Sequence, residues 1–560
     1  MPGMNPGQSP ASPILMSAFR SALLQQLLVV VLIFALLLVA WVITRAAVYG
    51  SVSGKSPAGA AELWREPRAR RLLRVGFGVL WLLDGVLQAQ PQMAGGLADQ
   101  VIQPSAASSP GWVRQLVNFG VTVWDFHPVP AAAAAVWIQA GIGLWMIIAV
   151  RGRPARLAGL AGAAWGLVVW VFGEAFGGIF APGLTVLFGA PGAAVFYVVA
   201  GALLALPRRA WDTPRPSRLI LAGTGTFFLG MALLQAWPGR GFWQGTDAVH
   251  GRPGSLAAMI KPMADTPQPR ALARTVSWFG DLTAAHGFAV NLVAVIALAV
   301  LGAGLVAAAV RADAWLARAA VLFGAVFCLA TWVLVEDLGF FGGLGTDPNS
   351  MIPLALLFTA GYVGLTAEPA EGVPELSGPT RGDGRVPQLA LRRFAGAPAR
   401  LVFGAGALGV ILVGAAPLAV SSVNRSADPI IAQEMRSADR LLGGKAGDTE
   451  LVAVVANPTY LSTAYTRAFT SQENLSQVPN WLFLTGSLSQ LADVWHRYGI
   501  EVEDLPAGAM AAHNDLAFVI GADGRLRQEI SDDPGPGTAA TTSSFSGLLA
   551  DSVLQTLGHS

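Results

Sequence analysis

The chain has 560 residues, of which 53% are hydrophobic and 12% are charged, and its mean hydropathy is +0.53. This composition excludes an ordinary soluble protein and predicts a polytopic α-helical membrane protein that resides in a lipid bilayer. The formal net charge of +2 identifies no partner, because membrane proteins are oriented by where Lys and Arg lie and not by their sum.

About ten apolar runs predict membrane-spanning helices. The first, at 24–43, has a longer apolar core than a signal peptide, so we interpret it as a retained helix. It is followed by an arginine-rich loop, which is expected to stay in the cytoplasm. The later runs end near residue 91 or lie at about 131–150, 157–176, 191–206, 219–236, 287–310, 320–336, 351–365 and 401–420.

The basic loops all fall on one side of the membrane under this count. Arginines cluster between alternate spans, at 151–156, 208–218, 311–318 and 381–393. A wrongly counted span would put one of these loops outside, so the alternation favours the count. Both chain ends are then predicted to be extracytoplasmic.

A duplicated motif ends two of the spans. The run WVFGEAFGG begins at Trp170 and WVLVEDLGFFGG begins at Trp332, so that Glu174 and Glu336 occupy corresponding places. A carboxylate at the edge of an apolar span is costly, and glycines after it allow close backbone approach. Finding this combination twice predicts a duplicated unit.

The internal similarity extends beyond the glutamates. DGVLQAQP resembles MALLQAWP, and other stretches align more loosely. The self-comparison pairs Asp84 with Met231, Gln88 with Gln235, His127 with His286, and Ala190-Pro191 with Ile352-Pro353. Each copy has four predicted helices, and because that number is even, we expect parallel repeats related by an axis along the membrane normal.

The predicted boundaries follow from this repeat. Between the first two helices of each copy, the loops at 92–125 and 239–285 mix Trp and Phe with charged residues, as in segments at the membrane interface. The segments are 1–72 (first helix and basic loop), 73–210 and 211–366 (the two repeats), 367–399 (cytoplasmic linker), 400–421 (last helix) and 422–560 (soluble domain).

Short strand-like runs alternate with a helical run in the soluble domain. ELVAVVA, WLFLTG and DLAFVIG predict strands, and SLSQLADVWHRYG predicts a helix capped by Ser487. This alternation predicts an α/β sheet.

The same domain resembles a known family. VANPTYLSTAYTRAF, followed by VPNWLFLTGSLSQLADVWHRYGI and AAHNDLAFVIGADGRLR, resembles the SCO (SenC) family of thioredoxin-fold proteins. The resemblance implies an outward-facing, thioredoxin-like domain that handles copper for cytochrome oxidase assembly or acts as a thiol redox partner. His513 falls on the family's metal-binding histidine. The CxxxC cysteines have no counterpart, and Asn424 and Asp428 stand at the same spacing with hard oxygen groups.

The membrane region resembles, more weakly, two fused copies of the DoxX-like four-helix group. That resemblance implies an association with quinone-linked or thiol-linked membrane redox systems. The single cysteine, Cys328, excludes an intrachain disulfide and a CxxC pair and is interpreted as a buried core residue.

The candidate site residues each have two interpretations. Glu174 and Glu336 are candidate proton or cation sites, or else they cap loop amides or pair with an arginine such as Arg240. Asp84 is either a site confined to the first copy or a helix-helix hydrogen-bonding group. Gln88 and Gln235 favour interhelical hydrogen bonds.

Histidines and methionines offer weaker metal candidates. His127 and His286 could bind copper on the outer side, together with Met93, Met231, Met259 and Met263, or could be structural. His513 is a candidate ligand by the resemblance, or a strand hydrogen-bonding residue.

The sequence leads to one principal functional hypothesis. It predicts an accessory or assembly factor in copper-linked or respiratory redox processes, which binds a respiratory oxidase or other membrane redox partner and does not turn over a substrate. One alternative is a transporter or ion-pathway protein that uses the paired glutamates. Another is a quinone-interacting subunit with a pocket in the tryptophan-rich outer loops. No motif indicates a nucleotide or nucleic-acid ligand.

Overall fold

The structure is a computed structural model. It describes residues 13–49, 66–181, 183–246, 254–266, 268–339, 341, 344–367, 404–416, 427–456, 461–500, 502–503, 512–513, 516–531 and 545–558. The chain divides into two compact units, which are considered separately. The membrane unit contains chiefly residues 26–118 and 134–415, and the carboxyl-terminal unit contains residues 10–25, 119–133 and 416–560.

Helices make up most of the described residues between positions 13 and 416. In chain order they are α1 (Pro13–Tyr49), α2 (Arg68–Gln88), α3 (Met93–Leu97), α4 (Gln103–Ala106), α5 (Gly111–Phe126), α6 (Pro128–Ile148), α7 (Gly152–Val168), α8 (Ala193–Ala205), α9 (Arg208–Trp211), α10 (Arg215–Ala236), α11 (Ser255–Ala264), α12 (Arg270–Ala285), α13 (Gly287–Arg311), α14 (Ala314–Leu334), α15 (Met351–Leu365) and α16 (Gly404–Ala416). Most of them coincide with the predicted apolar runs.

Six of the described helices are long and apolar enough to cross a membrane, and a bent pair would make a seventh. The bent pair joins α2 to the segment Met93–Ala106 across a 93° bend. Three more apolar helices, α8, α15 and α16, are shorter than the others. These helices support a multi-pass, membrane-associated protein, whereas the count of ten spans stays a prediction.

Facing glycines let two long helices cross closely in each repeat, α2 with α6 in the first copy and α10 with α13 in the second. A Cβ added to Gly143 on α6 would lie 2.6 Å from the carbonyl oxygen of Gly78 on α2. In the second copy, a Cβ added to Gly302 on α13 would lie 2.7 Å from the carbonyl oxygen of Gly225 on α10. Small residues therefore fix the same crossing twice, because membrane helices associate through close packing and not through a hydrophobic gain.

Arginines at the other end of the same helices make a second duplicated contact. Arg74 of α2 donates to the carbonyls of Met146 and Ile147, near the end of α6. Arg218 of α10 donates to the carbonyls of Ala309 and Val310 at 2.7 and 2.8 Å, near the end of α13. A cationic side chain at a helix carboxyl terminus donates hydrogen bonds to the unpaired carbonyls and interacts favourably with the helix dipole.

The carboxyl-terminal unit combines helices with short strands. Its elements are α17 (Ala427–Leu442), β1 (Leu451–Val454), α18 (Thr463–Gln472), β2 (Trp481–Leu484), α19 (Leu488–Tyr498), β3 (Val502–Glu503), β4 (Ala512–His513), β5 (Leu516–Ile520), β6 (Leu526–Ser531) and α20 (Phe545–Gly558). The predicted cap of α19 is confirmed, since Ser487 and Gln490 form a reciprocal capping box.

The described strands form three two-stranded sheets and not one continuous sheet. β1 is parallel to β2, whereas β3–β4 and β5–β6 are antiparallel. Hydrophobic residues of α17 and α18 cover one face of β1–β2, and α17 and α20 cover β5–β6. The predicted cytoplasmic linker, except for its first residue, and residues 417–426 before α17 lie outside the described part of the chain.

The glycine crossing gives a matched test of stability. Gly225→Ala places a methyl group 2.8 Å from the Gly302 carbonyl oxygen, and we expect overpacking to lower the free energy of unfolding by about 1–3 kcal/mol. Gly230→Ala on the same helix has nothing within 4 Å of the new methyl, and it should be neutral or stabilising by about 0.5–1 kcal/mol. Thermal unfolding of the purified variants in detergent measures both, and equal stabilities would contradict the assigned crossing.

Candidate functional site

Each repeat is broken at the same place, just after its third helix. α7 passes into a π-helical turn, Val169–Gly173, in which the Glu174 N–H donates to the Val169 carbonyl at 2.9 Å. In the second copy the Glu336 N–H donates to the Thr331 carbonyl at 3.0 Å. The duplication predicted from the glutamates is therefore present in the backbone hydrogen bonds.

A left-handed turn follows each glutamate. The φ angles are +49°, +60° and +59° at Ala175, Phe176 and Gly177, and +53°, +59° and +73° at Asp337, Leu338 and Gly339. Left-handed backbone is unfavourable for residues with a Cβ, so both copies retain a strained conformation. The third position must be glycine, because a Cβ on Gly177 would lie 1.7 Å from the Pro191 carbonyl oxygen.

Both glutamates cap the helix that follows the break. Glu174 Oε1 accepts hydrogen bonds from the backbone N–H groups of Ala193 and Ala194 at 3.0 and 3.2 Å. Glu336 Oε2 accepts one from Met351 N–H at 3.3 Å. These are the first turns of α8 and α15, where unpaired N–H groups and the helix dipole favour a negative charge. Of the two interpretations of these residues, the structure supports the cap.

An arginine partner for the glutamates is not found among the described residues. Arg240, suggested from the sequence, donates to the Leu184 carbonyl at 2.5 Å. No contact between Arg240 and either glutamate occurs in the described part of the chain.

Two tryptophan side chains form hydrogen bonds across the breaks. Trp170 Nε1 donates to the Pro191 carbonyl at 2.7 Å, and Trp332 Nε1 donates to the Pro348 carbonyl at 2.8 Å. Pro348, and not Pro353, is therefore the counterpart of Pro191. The sequence alignment of Ala190-Pro191 with Ile352-Pro353 is wrong because the second connection is shorter, which a constant offset between copies cannot represent.

The connections between the third and fourth helices are exchanged between copies. In the first copy's connection, Thr185 bonds to Gln235 of α10, and Leu187 and Phe188 pack against a second-copy cluster that includes Phe242. In the second copy's connection, the Gly345 carbonyl accepts from Gln90 Nε2 at 2.9 Å. Each connection therefore covers the first helix of the other copy.

On the second copy's side, the buried polar groups satisfy one another. Thr185 Oγ1 donates to Gln235 Oε1 at 2.5 Å, and Gln235 Nε2 donates to Asn291 Oδ1 at 2.7 Å. All three side chains are buried. We call this set the paired half-site. It confirms the interhelical hydrogen-bonding role predicted for Gln235.

On the first copy's side, the corresponding groups lack partners. Trp81, Asp84 and Gln88 lie along one face of α2 at helical spacing. The ring centroids of Trp81 and of Tyr197, on α8, are 4.7 Å apart. Trp81 Nε1, Asp84 Oδ1, Gln88 Oε1 and the Tyr197 hydroxyl are buried and have no hydrogen-bond partner in the described part of the chain. We call these four residues the unpaired half-site. The second copy has Met231 and Leu354 where the first has Asp84 and Tyr197.

Two more carboxyl groups act on the unpaired half-site. Asp347 and Glu174 are close enough to Asp84 to interact with it through their charges, and the Tyr197 hydroxyl lies beside the Asp84 carboxyl without reaching hydrogen-bond geometry. Asp347 accepts from the Thr346 hydroxyl at 2.9 Å and from Asn349 N–H at 2.7 Å. Burial raises the pKa of Asp347. Three acidic residues on different segments therefore lie within range of one another's charges.

The histidines lie at corners before helices. His127 precedes α6 and His286 precedes α13, and the carbonyl of each accepts from the first turn of that helix, at 2.8 Å from Ala131 and 3.0 Å from Val290. They are thus counterparts, as predicted. Partial burial lowers the pKa of His127.

The predicted metal ligands are not brought together. No group of three or more His, Cys, Asp or Glu residues able to hold a metal occurs in the described part of the chain. Met259 and Met263 pack in a hydrophobic cluster with Phe242. His513 lies in β4, paired with Val502, and its side chain, like Asn424 and the side chain of Asp428, is outside the described residues.

The chain matches no protein-family model, no curated protein and no solved structure. The site is therefore interpreted from its own geometry.

The sequence did not single out Tyr197, Asp347, Thr185 or Asn291. Thr185 and Asp347 act on the other copy, which a constant-offset comparison within the chain does not reveal. Tyr197 and Asn291 contact their partners across helices of their own copy. The usable signal was the asymmetry between copies, in which Asp84 and Tyr197 have the apolar counterparts Met231 and Leu354.

The cap at Glu174 can be tested with two substitutions, one that removes the acceptor oxygen and one that removes only the charge. Glu174→Ala leaves two buried N–H groups without an acceptor, and we expect the free energy of unfolding to fall by about 2–4 kcal/mol. Glu174→Gln keeps an acceptor oxygen, so its loss should be less than half as large. Thermal unfolding in detergent compares the two, and equal losses would contradict the cap.

The buried carboxyl of Glu336 should make the free energy of unfolding depend on pH. Glu336 lies beyond the end of α14, and burial raises its pKa from 4.5 to about 8, despite hydrogen bonds from the start of α15. The folded protein then holds a proton that the unfolded chain releases, so stability is lost as the pH rises from 4.5 towards 8. Glu336→Gln should reduce this slope by up to about 1.4 kcal/mol per pH unit, as measured by unfolding across that range. An unchanged slope would refute the assignment, and the exposed Asp281→Asn serves as a control.

Proposed function

We propose that the membrane unit is a proton pathway, with Asp84 of the unpaired half-site as the group that binds and releases the proton. This is the transporter or ion-pathway alternative raised by the sequence, with the site moved from the glutamates to Asp84. Glu174 and Asp347 act on that site electrostatically, and Glu336 belongs to the capping structure.

One observation carries the proposal: three buried polar side chains on one face of α2, and Tyr197 beside Trp81 and Asp84, have polar atoms without partners among the described residues. Buried polar groups are nearly always hydrogen-bonded, and groups that are not so paired point to bound water or a ligand. A carboxyl group in a hydrophobic bundle is also costly unless its function requires it. Asp84 combines both features.

The paired half-site strengthens this argument from within the same molecule. The same buried glutamine position occurs there, yet Gln235 has a hydrogen-bond partner at both its side-chain oxygen and its side-chain nitrogen. The oxygen of the corresponding Gln88 has no partner among the described residues. A buried glutamine at this position can therefore be paired within the bundle, and the first copy does not pair it.

The chemistry of the unpaired half-site favours a proton over a metal cation. Trp81 Nε1 and the Tyr197 hydroxyl are hydrogen-bond donors, while Asp84 and Gln88 supply acceptor oxygens. Mixed donors and acceptors suit a short file of water molecules and a carboxyl that alternates between protonated and ionised forms. A hard cation would require a shell of oxygen ligands, and the Trp81 indole N–H cannot supply one.

Asp84 also lies close to one end of its helix, and Gln88 is the last residue of α2. With the predicted orientation, that end faces outside, so protons would enter from the extracytoplasmic side. Because Glu174 and Asp347 interact with Asp84 through their charges, the gain or loss of its proton would be coupled to their own ionisation.

Proton flux in proteoliposomes tests the proposal. The full-length protein would be reconstituted with a trapped pH-sensitive dye, and a potassium diffusion potential would drive proton entry. We expect Asp84→Asn to reduce flux at least about tenfold, since the amide cannot release a proton, and Asp281→Asn, at an exposed carboxyl, to leave it unchanged. Flux equal to that of empty liposomes, or unaltered by Asp84→Asn, would exclude this role.

A second candidate is the accessory role in copper-linked or respiratory redox assembly. It rests on the SCO resemblance and on the order of elements in the carboxyl-terminal unit, in which α18 joins the parallel strands β1 and β2 and a β5–β6 hairpin precedes α20. This order suits a thioredoxin-like domain. Ten spans and an extracytoplasmic location of this unit belong to the same proposal.

Copper binding by this candidate can be measured directly. The full-length protein would be loaded with cuprous ion, and its bound copper would be compared with that of His513→Ala and of His496→Ala, which lies on α19. We expect a stoichiometric ion that only His513→Ala loses. Absence of bound copper in all three proteins would remove the copper role.

A further inference from the structure

A polar cluster lies where the loop between α11 and α12 meets the turn after α14. Thr266 and Gln268 come from the loop and Asp337 from the turn, and together they form what we call the loop cluster. Asp337 is 1% exposed and occupies the place that Ala175 holds in the first copy. The duplicated turn therefore does not require a carboxylate here.

The hydrogen atoms of the loop cluster are already engaged. The Thr266 hydroxyl and Gln268 Nε2 both donate to the Met263 carbonyl at 2.6 Å, and Gln268 Nε2 lies 3.3 Å from Thr266 Oγ1. A hydroxyl has one hydrogen and an amide has two. No hydrogen is left for the 3.5 Å contact between Thr266 Oγ1 and Asp337 Oδ2.

Two acceptor oxygens of the loop cluster lack a donor. Asp337 Oδ1 and Gln268 Oε1 are buried and have no hydrogen-bond partner among the residues that the structure describes. The lysine on α11, Lys261, is directed elsewhere and pairs with Asp281 at 3.1 Å. A buried carboxylate without a donor is unfavourable unless positive charge compensates it.

We propose that the loop cluster binds a sodium ion through the Asp337 carboxylate, Gln268 Oε1 and Thr266 Oγ1. All of these ligands are oxygens, which hard cations prefer. A single carboxylate balances one positive charge, whereas a divalent ion would leave an uncompensated charge in a buried place. Nothing in the proton pathway requires this ion, so the two proposals stand or fall separately.

A proton on Asp337 is the rival occupant of the loop cluster. A proton would compensate the carboxylate equally in any chloride salt, whereas a bound sodium ion stabilises the folded protein only when sodium is present. A comparison of two cations at one pH therefore separates the two occupants.

Thermal unfolding of the full-length protein in detergent, in NaCl or in N-methylglucamine chloride at about pH 8, tests the site. We expect a saturable rise in Tm of at least about 2 °C that is specific to sodium. Asp337→Asn should abolish the rise, and Asp281→Asn, at an exposed carboxyl of α12, should keep it.

Gln268→Ala provides a second variant in case Asp337→Asn does not fold. It removes one neutral ligand, so it should raise the half-saturating sodium concentration by about tenfold and leave the site otherwise functional. Identical Tm values in the two chloride salts would overturn the proposal. So would an unaltered sodium response in either site variant.

Discussion

The membrane unit depends on one repeated interaction, a buried glutamate that accepts hydrogen bonds from the first N–H groups of the next helix. Each buried backbone group without a hydrogen bond is costly, so a chain cannot simply turn from one helix into another inside a packed protein. Glu174 and Glu336 solve this at α8 and α15, and the π-helical and left-handed turns before these helices direct each carboxylate to the helix start. The indoles of Trp170 and Trp332 then hold the connection in place.

Much of this could be predicted because it is local. Costly carboxylates beside glycines, repeated at a constant distance, are enough to identify Glu174 and Glu336, and the apolar runs located most helices. Gln235 was correctly expected to bond between helices. What failed was nonlocal: the shorter second connection shifted the counterpart of Pro191 to Pro348, and the exchange of connections brought Asp347 towards Asp84. Spacing along a chain contains no signal for either.

The two copies have diverged in what they do with the same framework. One half-site saturates its polar groups and so acts as a rigid joint between α10, α13 and the first copy's connection. The other retains a carboxyl, an amide, a phenol and an indole with unfilled hydrogen-bonding capacity. Duplication permits this division, because one copy can preserve stability while the other accumulates groups that cost stability and provide chemistry. Asp337, which replaces Ala175 in the capping turn, is a further departure on the other copy.

The exchanged connections also constrain how the protein is made. Leu187 and Phe188 find their apolar neighbours, and Thr185 its amide partner, only on segments that the ribosome synthesises later. Gln90 likewise finds the Gly345 carbonyl only after α14 has been synthesised. The contacts that complete both connections can therefore form only once most of the second copy exists, so the two copies depend on each other for their finished ends.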